Sequence, residues 1–165
     1  MKCFRSGESG ASGFINLVHL RILAWRMHIQ AAAIRMELEE MKMSAKSPEE
    51  ICRLFQQSMA AGDLDALLNL YDAEAVFLNR SGEIRRGREE LKEVLAPLAA
   101  TQPRFEYRIR QIIQSGDIAL MHTDWKISAP RPDFQYAIEV ARRQPDGTWR
   151  WLIGDPFTVG KRIAS

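Results

Sequence analysis

The stretch from Phe105 to Ile153 constrains the fold most. Strand-like segments there are separated by Ser115-Gly116-Asp117, by Ala129-Pro130-Arg131-Pro132-Asp133 and by Pro145-Asp146-Gly147. Glycine supplies positive φ and proline presets φ, so the outer two segments are turns. Two prolines within five residues forbid regular pairing in the middle one. The expected strands are Phe105–Ile113, Ile118–Ile127, Phe134–Arg143 and Trp149–Ile153. Connections this short join antiparallel neighbours.

Each strand offers two faces. Phe105, Tyr107, Ile109, Gln111 and Ile113 alternate with Glu106, Arg108, Arg110 and Ile112. In the second strand Ala119, Met121, Thr123, Trp125 and Ile127 read as the packed set, which sends His122 and Asp124 to the other side. In the third, Phe134, Tyr136, Ile138 and Val140 oppose Gln135, Ala137, Glu139 and Ala141. Apolar burial is worth roughly 25 cal/mol per Å², so the larger set, with Tyr136, is expected to face inward. If the other set does, Glu139 becomes a desolvated acid whose pKa rises, and function should change with pH.

Helices precede these strands. Ser47-Pro48-Glu49-Glu50 starts one: serine caps, proline suits the first turn, and Glu50 can close a capping box. Ile51, Leu54, Phe55 and Met59 form its apolar stripe, and Gly62 ends it. Asp63 caps a second helix, with Leu64, Leu67, Leu68 and Tyr71 inward. Ala75–Asn79 and Glu83–Arg86 are short strands around Arg80-Ser81-Gly82, and Gly87 precedes a third helix over 88–98. The order α-α-β-β-α-β-β-β-β predicts an α+β domain with helices on one face of an antiparallel sheet.

The 165 residues suit one domain. Residues 1–43 hold six basic and four acidic side chains, and residues 44–165 hold 17 of each. A neutral domain has no electrostatic footprint for nucleic acid, so that class of partner is not expected. Cys3 and Cys52 make neither a disulfide framework nor a zinc pattern, which fits a reducing, cytoplasmic setting. His19, His28 and His122 are not spaced as metal ligands, and there is no glycine-rich phosphate loop or nucleophile elbow. No metal and no cofactor is expected.

Residues 1–13 are rich in Gly and Ser and read as disordered. Phe14, Val18, Ile22, Trp25, Ile29, Ala32 and Met36 then recur at helical spacing. Arg21, Arg26, His28 and Arg35 interrupt the run, so neither a membrane span nor a secretory signal is expected. A transit peptide and a packing helix are open readings. The favoured one is an upstream extension ahead of a functional start at Met41 or Met43, leaving 44–165 as the domain.

Three passages resemble a known family. They are Ala61-Gly62-Asp63-Leu64-Asp65-Ala66-Leu67-Leu68-Asn69-Leu70-Tyr71 with Ala75-Val76-Phe77, then Gly87-Arg88-Glu89-Glu90-Leu91, then Arg142 to Leu152 with Asp155-Pro156-Phe157. Together, over about Pro48 to Phe157, they resemble the nuclear transport factor 2-like superfamily, in its SnoaL-like and ketosteroid-isomerase-like branch. The resemblance implies a cone-shaped, strongly bent sheet wrapped around three helices, an interior pocket, and commonly a homodimer. It implies a small-molecule-binding protein for an apolar or carbonyl-bearing ligand, and possible activities include cofactor-independent isomerisation, cyclisation and dehydration by acid–base chemistry. A non-catalytic ligand-binding or dimerisation module of the same fold is the alternative.

Ketosteroid isomerases place a carboxylate at the end of the first strand, where this chain resembles them at Asn79. An amide has no proton equilibrium near neutrality, so steroid-type isomerisation is not expected from it. Asn79 is left to bind ligand or to cap the adjoining turn. The candidate catalytic residues are His122, Asp124, Tyr136, Glu139 and Asp155; the candidate ligand-binding residues are Phe77, Asn79, Trp125 and Trp151. His122 and Asp124, two apart on a strand, share a face as an acid–base pair would, although that face can equally be solvent or a dimer interface. Tyr136 can polarise a carbonyl. Glu139 is either a pocket acid or the partner of Arg108 or Arg110, and Asp155 either a rim carboxylate or a turn cap. The aromatics are pocket walls or plain core.

A chain beginning at Ser44 is expected to unfold cooperatively and to scatter light as a homodimer built on the exposed face of the long strands. Loss of the cooperative transition counts against the domain boundary, and a monomer at micromolar concentration against the dimer.

Overall fold

The computed structural model describes residues 11–42, 44–128 and 134–157, with the side chains of 11–18 and 37–42 set aside. By its contacts the chain divides into two units, Met1–Lys42 and Met43–Ser165. The first holds helix α1 (Ala11–Lys42), so residues 11–13 are helical rather than disordered. Its described side chains include exposed Leu20, Trp25 and Met27. No helix among the described residues is long and apolar enough to cross a membrane. The expectations of disorder for 1–10 and of a loop at 129–133 fall outside the described residues.

In the second unit, helix α2 (Pro48–Ala61) starts on proline with Glu49 and Glu50 in its first turn, where carboxylates oppose the positive end of the helix. The Ser47 side chain makes no capping hydrogen bond. Instead Glu50 accepts from the Lys46 backbone N–H at 2.7 Å, so the carboxylate reaches one residue beyond the expected capping box. Gly62, at φ +70°, closes the helix in the left-handed region that glycine enters without steric cost. Asp63 caps α3 (Leu64–Asn69) by accepting from the Ala66 N–H at 3.0 Å.

Tyr71 is not on that helix. It opens β1 (Tyr71–Leu78), because the last strand captures the chain there: the Trp151 N–H donates to the Leu70 carbonyl at 2.8 Å, and Tyr71 pairs with Trp151. Next come β2 (Ile84–Arg86), α4 (Gly87–Ala99), β3 (Phe105–Ser115), β4 (Ile118–Ile127), β5 (Gln135–Arg143) and β6 (Trp149–Asp155). The six strands form one curled sheet in the order β2-β1-β6-β5-β4-β3. This is the α+β cone expected. One pairing departs from a wholly antiparallel sheet: β6 returns beside β1 and runs parallel to it.

The register decides which residues face the helices. In β3 the pairing shifts between Ile109 and Gln111, so a bulge absorbs one residue. Tyr107 and Ile109 lie opposite Trp125 and Thr123; beyond the bulge Ile112 lies opposite Met121, and Gln111 opposite His122. Strict alternation through β3 therefore fails: Ile112 packs against the core and Ile113 is exposed. In β4 the buried set is Ala119, Met121, Thr123 and Trp125, as the pattern implied. In β5 it is Ala137, Glu139 and Ala141, which overturns the expectation that Tyr136, Ile138 and Val140 face inward.

The core lies between this inner face and α2 to α4. Trp151 and Phe55 pack at 5.3 Å between ring centroids, Trp151 and Tyr71 at 5.3 Å, and Phe55 and Phe105 at 5.2 Å. Edge-on and tilted pairs at these separations add about 0.5–1.5 kcal/mol each beyond the area they bury.

A second tie crosses the sheet. Arg142 of β5 reaches over β6 to β1, donating from Nε to Asp72 Oδ2 at 2.9 Å and from Nη2 to Oδ1 at 2.6 Å. Gln144 adds a bond at 2.7 Å and the Glu74 N–H one at 2.9 Å. Burial alone would raise the Asp72 carboxyl; the Arg142, Glu74 and Gln144 hydrogen bonds outweigh it and hold the group below its ordinary value. Replacing Arg142 by Ala leaves Asp72 buried with only its weaker donors. We expect a loss on the order of 2–3 kcal/mol in urea unfolding, since an orphaned buried carboxylate is costly. A loss within 0.5 kcal/mol, the usual range for a surface change, contradicts the tie.

Candidate functional site

Among the described residues the inner face carries one carboxylate in an otherwise apolar and hydroxylic setting. Glu139 is only 5 % exposed. Its neighbours across the sheet are Met121 on β4 and Gly154 on β6. The Thr123 hydroxyl donates to Glu139 Oε2 at 3.3 Å. The expected arginine pairing does not form: Arg110 bonds Asp124, and the Arg108 guanidinium lies 4.0 Å from the Phe134 ring centroid. Those arginines are on the outer face, whereas the β5 register turns Glu139 inward.

Burial pushes the Glu139 carboxyl up to about 7, against a smaller lowering by the Thr123 hydrogen bond. Near neutral pH the group therefore divides between acid and carboxylate, as a proton donor or acceptor requires. Around it, burial and then the Glu139 charge raise the Tyr71 and Tyr107 hydroxyls and the Cys52 thiol. Those hydroxyls stay protonated, able to donate to an oxygen, and the thiol is no nucleophile. Trp151 Nε1 and Ser58 Oγ are buried and have no hydrogen-bond partner among the described residues.

Phe77 and Trp125 complete the wall. Phe77 lies opposite Gly154 on the adjoining strand. A Cβ on Gly154 would meet Phe77 Cδ2 at 3.0 Å, so glycine there lets the ring lie against the strand beside Glu139. Trp125, two residues from Thr123 on the same face of β4, donates from Nε1 to the Pro156 carbonyl at 3.2 Å.

Of the nine candidates, Glu139, Phe77, Trp125 and Trp151 share the inner face, and His122, Asp124, Tyr136 and Asp155 do not. His122 and Tyr136 are hydrogen-bonded to each other on the outer face. Asp124 is buried there against Arg110, at 2.6 Å, rather than paired with His122. Asp155 lies opposite outer-face Ile138 and accepts from the Phe157 N–H at 3.4 Å. Tyr136 and Glu139 therefore lie on opposite faces of β5, and Trp125 rather than Tyr136 shares the inner face with Glu139. Asn79 sits in the β1–β2 turn, accepting from Ser81 Oγ at 2.7 Å and the Glu83 N–H at 2.9 Å and donating to Glu83 Oε2 at 2.9 Å.

Sequence reasoning missed Tyr71, Tyr107 and Thr123 as site residues. Thr123 was legible as the one hydroxyl in a packed set, whereas Tyr71 was hidden by its assignment to a helix. A surface cleft of about 240 Å³ lies elsewhere, lined by Lys46, Glu49, Gln114, Arg143 and Trp149 among others, and none of the nine candidates lines it.

Residues 52–158 match the sequence profile of the SnoaL-like domain. No curated protein sequence matches. Among solved structures, a candidate calcium/calmodulin-dependent protein kinase type II association domain from Thiobacillus denitrificans superposes with a TM-score of 0.60 at 18 % identity, covering 70 % of this chain and 98 % of that one. A candidate ketosteroid isomerase from Shewanella frigidimarina gives 0.54 at 16 %, covering 64 % and 89 %. A candidate dehydratase of the NTF2-like family from Streptomyces avermitilis gives 0.52 at 20 %, covering 64 % and 88 %. At such identities the likeness establishes the fold.

Glu139 also makes a stability prediction. Its folded pKa, about 7, lies above the ordinary 4.5. Below 4.5 both states are protonated and the group costs nothing; between 4.5 and about 7 the unfolded state ionises while the folded state keeps its proton, so folding loses stability, and above that both are ionised. The loss approaches a plateau on the order of 3 kcal/mol above pH 8. Glu139→Gln should remove this slope and be the more stable protein at pH 8. Parallel stability–pH curves for the two proteins would refute the desolvated acid.

Proposed function

The chain belongs to the SnoaL-like domain family, a branch of the nuclear transport factor 2-like superfamily, and on that premise we propose that its cone binds a small apolar, carbonyl-bearing molecule and moves a proton on it through Glu139. The observation that carries this reading is a single buried carboxylate, raised to about 7 by desolvation, on the inner face with one hydroxyl donor. The un-ionised Tyr71 and Tyr107 hydroxyls supply donors for a carbonyl oxygen. As a carboxylate Glu139 takes a proton from the carbon beside that carbonyl; the enol forms, and the resulting acid returns the proton to the same or a conjugated carbon. Isomerisation, cyclisation and dehydration share this step, and it needs no cofactor.

Asn79, engaged by its turn, and the outer-face residues His122, Asp124, Tyr136 and Asp155 take no part in it. They bear on the second reading, a ligand-binding or dimerising module without catalysis. Ile113, Ile118 and Ile153 are 50 %, 40 % and 46 % exposed on the sheet's outer side. A second copy of the chain would cover such a surface.

A thermal-shift screen against small carbonyl compounds should return ligands that raise Tm, because they bind the native state. Those with protons beside the carbonyl should exchange them in D2O, and Glu139→Gln should slow that exchange by about 10²–10⁴-fold, the range for general acid–base catalysis. Asp124→Asn should leave it unchanged. Binding with equal exchange rates in wild type and Glu139→Gln favours the silent module.

A further inference from the structure

Helix α1 carries an apolar stripe on each of two opposite sides. An α-helix turns about 100° per residue, so residues three and four apart line up along it. Ile22, Trp25, Ile29, Ala32 and Met36 follow one another at alternating steps of three and four and make the first stripe. Leu20, Leu23, Met27 and Ile34 make the second, about half a turn away. All of these side chains are exposed, Trp25 at 66 % and Met27 at 72 %.

Two basic edges divide the stripes. Arg21, His28 and Arg35 recur every seven residues along one edge, and His19 and Arg26, also seven apart, lie along the other. No acidic residue stands between Glu8 and Glu37. An ordinary surface helix turns one apolar face to its neighbours and a charged face to water. The cations of α1 sit at the borders of its stripes instead, so a cover on one side leaves the other stripe wet.

The candidate covers differ in how much of this they satisfy. A bilayer surface takes one apolar side of a helix and needs the opposite side polar, which α1 lacks. A second copy brings the same cations: in a parallel pair the residues bordering the seam face each other, which sets Arg21 of each chain against Arg26 of the other. Helices with carboxylates at those borders satisfy both features. Each stripe then gains an apolar neighbour, and each arginine an opposite charge.

We propose that α1 is a docking helix for another protein, and that this partner presents two amphipathic helices with acidic borders, one against each stripe. Residues His19 to Met36, at about 1.5 Å per residue, span about 27 Å, so each partner helix runs for about five turns. Arg21 and Arg26 select the partner, since like charges across such a seam repel. The surface lies wholly within α1 and does not rest on the reading of Glu139.

The test uses the full chain and a synthetic four-heptad peptide with Leu at its two core positions and Glu at the two bordering ones. The same peptide with Lys at the borders is the control. In titration calorimetry two Glu peptides should bind per chain, at least tenfold more tightly than the Lys peptide. Trp25→Glu and Met27→Glu, each at an exposed position of one stripe, should each leave a single peptide bound. Arg21→Glu combined with Arg26→Glu should reverse the preference, so that the Lys peptide binds at least tenfold more tightly. One peptide per wild-type chain overturns the two-helix partner, as does equal binding of the two peptides or binding of neither. Phosphatidylglycerol vesicles that bind the wild type, when the Glu peptide does not, assign α1 to a lipid surface and overturn the proposal. A molar mass by light scattering that falls in both Trp25→Glu and Met27→Glu without peptide shows a second copy seated on the stripes, and overturns it too.

Discussion

Everything inside the cone depends on the room left by a patch of small side chains. Ala119, Ala137 and Ala141 are fully buried on the inner face of β4 and β5. Across from Ala141 stands Trp151, itself wedged among Phe55, Tyr71 and Tyr107. An interior packed near crystal density has no space for a second layer of bulk. With large rings arriving from α2, β1, β3 and β6, the β5 face turned toward them has to be the small one.

That choice commits Glu139. Residues two apart share a face, so the register that seats Ala137 and Ala141 inward brings the carboxyl between them inward as well. Among the described residues three carboxylates are buried, and two of them, Asp72 and Glu139, sit in settings that push them in opposite directions. Asp72 is gripped by Arg142 and Gln144 and stays ionised, tying β1 to β5. Glu139 has one hydroxyl and no cation, and is raised toward neutrality. Environments that drive titratable groups apart are a common basis for dividing structural from chemical work. The cost of the second is a native state that loses stability as pH rises, of the kind proteins tolerate where function needs a strained group.

The outer face is a separate polar system. Arg110 with Asp124, and His122 with Tyr136, line one side of β3 to β5, and Lys126 with Glu106, at 3.0 Å, extends it. The sheet thickness separates these groups from Glu139. The curled sheet keeps these groups apart from the inner face.

Much of this was legible in the residues. Ser115-Gly116-Asp117 and Pro145-Asp146-Gly147 marked hairpins because few other residues accept their backbone angles. Ser47-Pro48 and Gly62 bounded α2, and the apolar alternation of β4 correctly divided Thr123 and Trp125 from His122 and Asp124. These are local features, decided by sterics and spacing within a few residues. The inward face of β5 was not legible, because both of its sets are mostly apolar and the deciding term, the volume of rings from other elements, is absent from the strand itself. Nor was the β3 bulge, which moved Ile112 inward, or the start of β1 at Tyr71, which depended on capture by a strand some 80 residues later. The sequence by itself determined which segments are strands and helices and that one carboxylate lay among small residues on β5. Only the tertiary structure decided that this carboxylate is buried, because desolvation is a property of everything packed around a group and of nothing in its own stretch of chain.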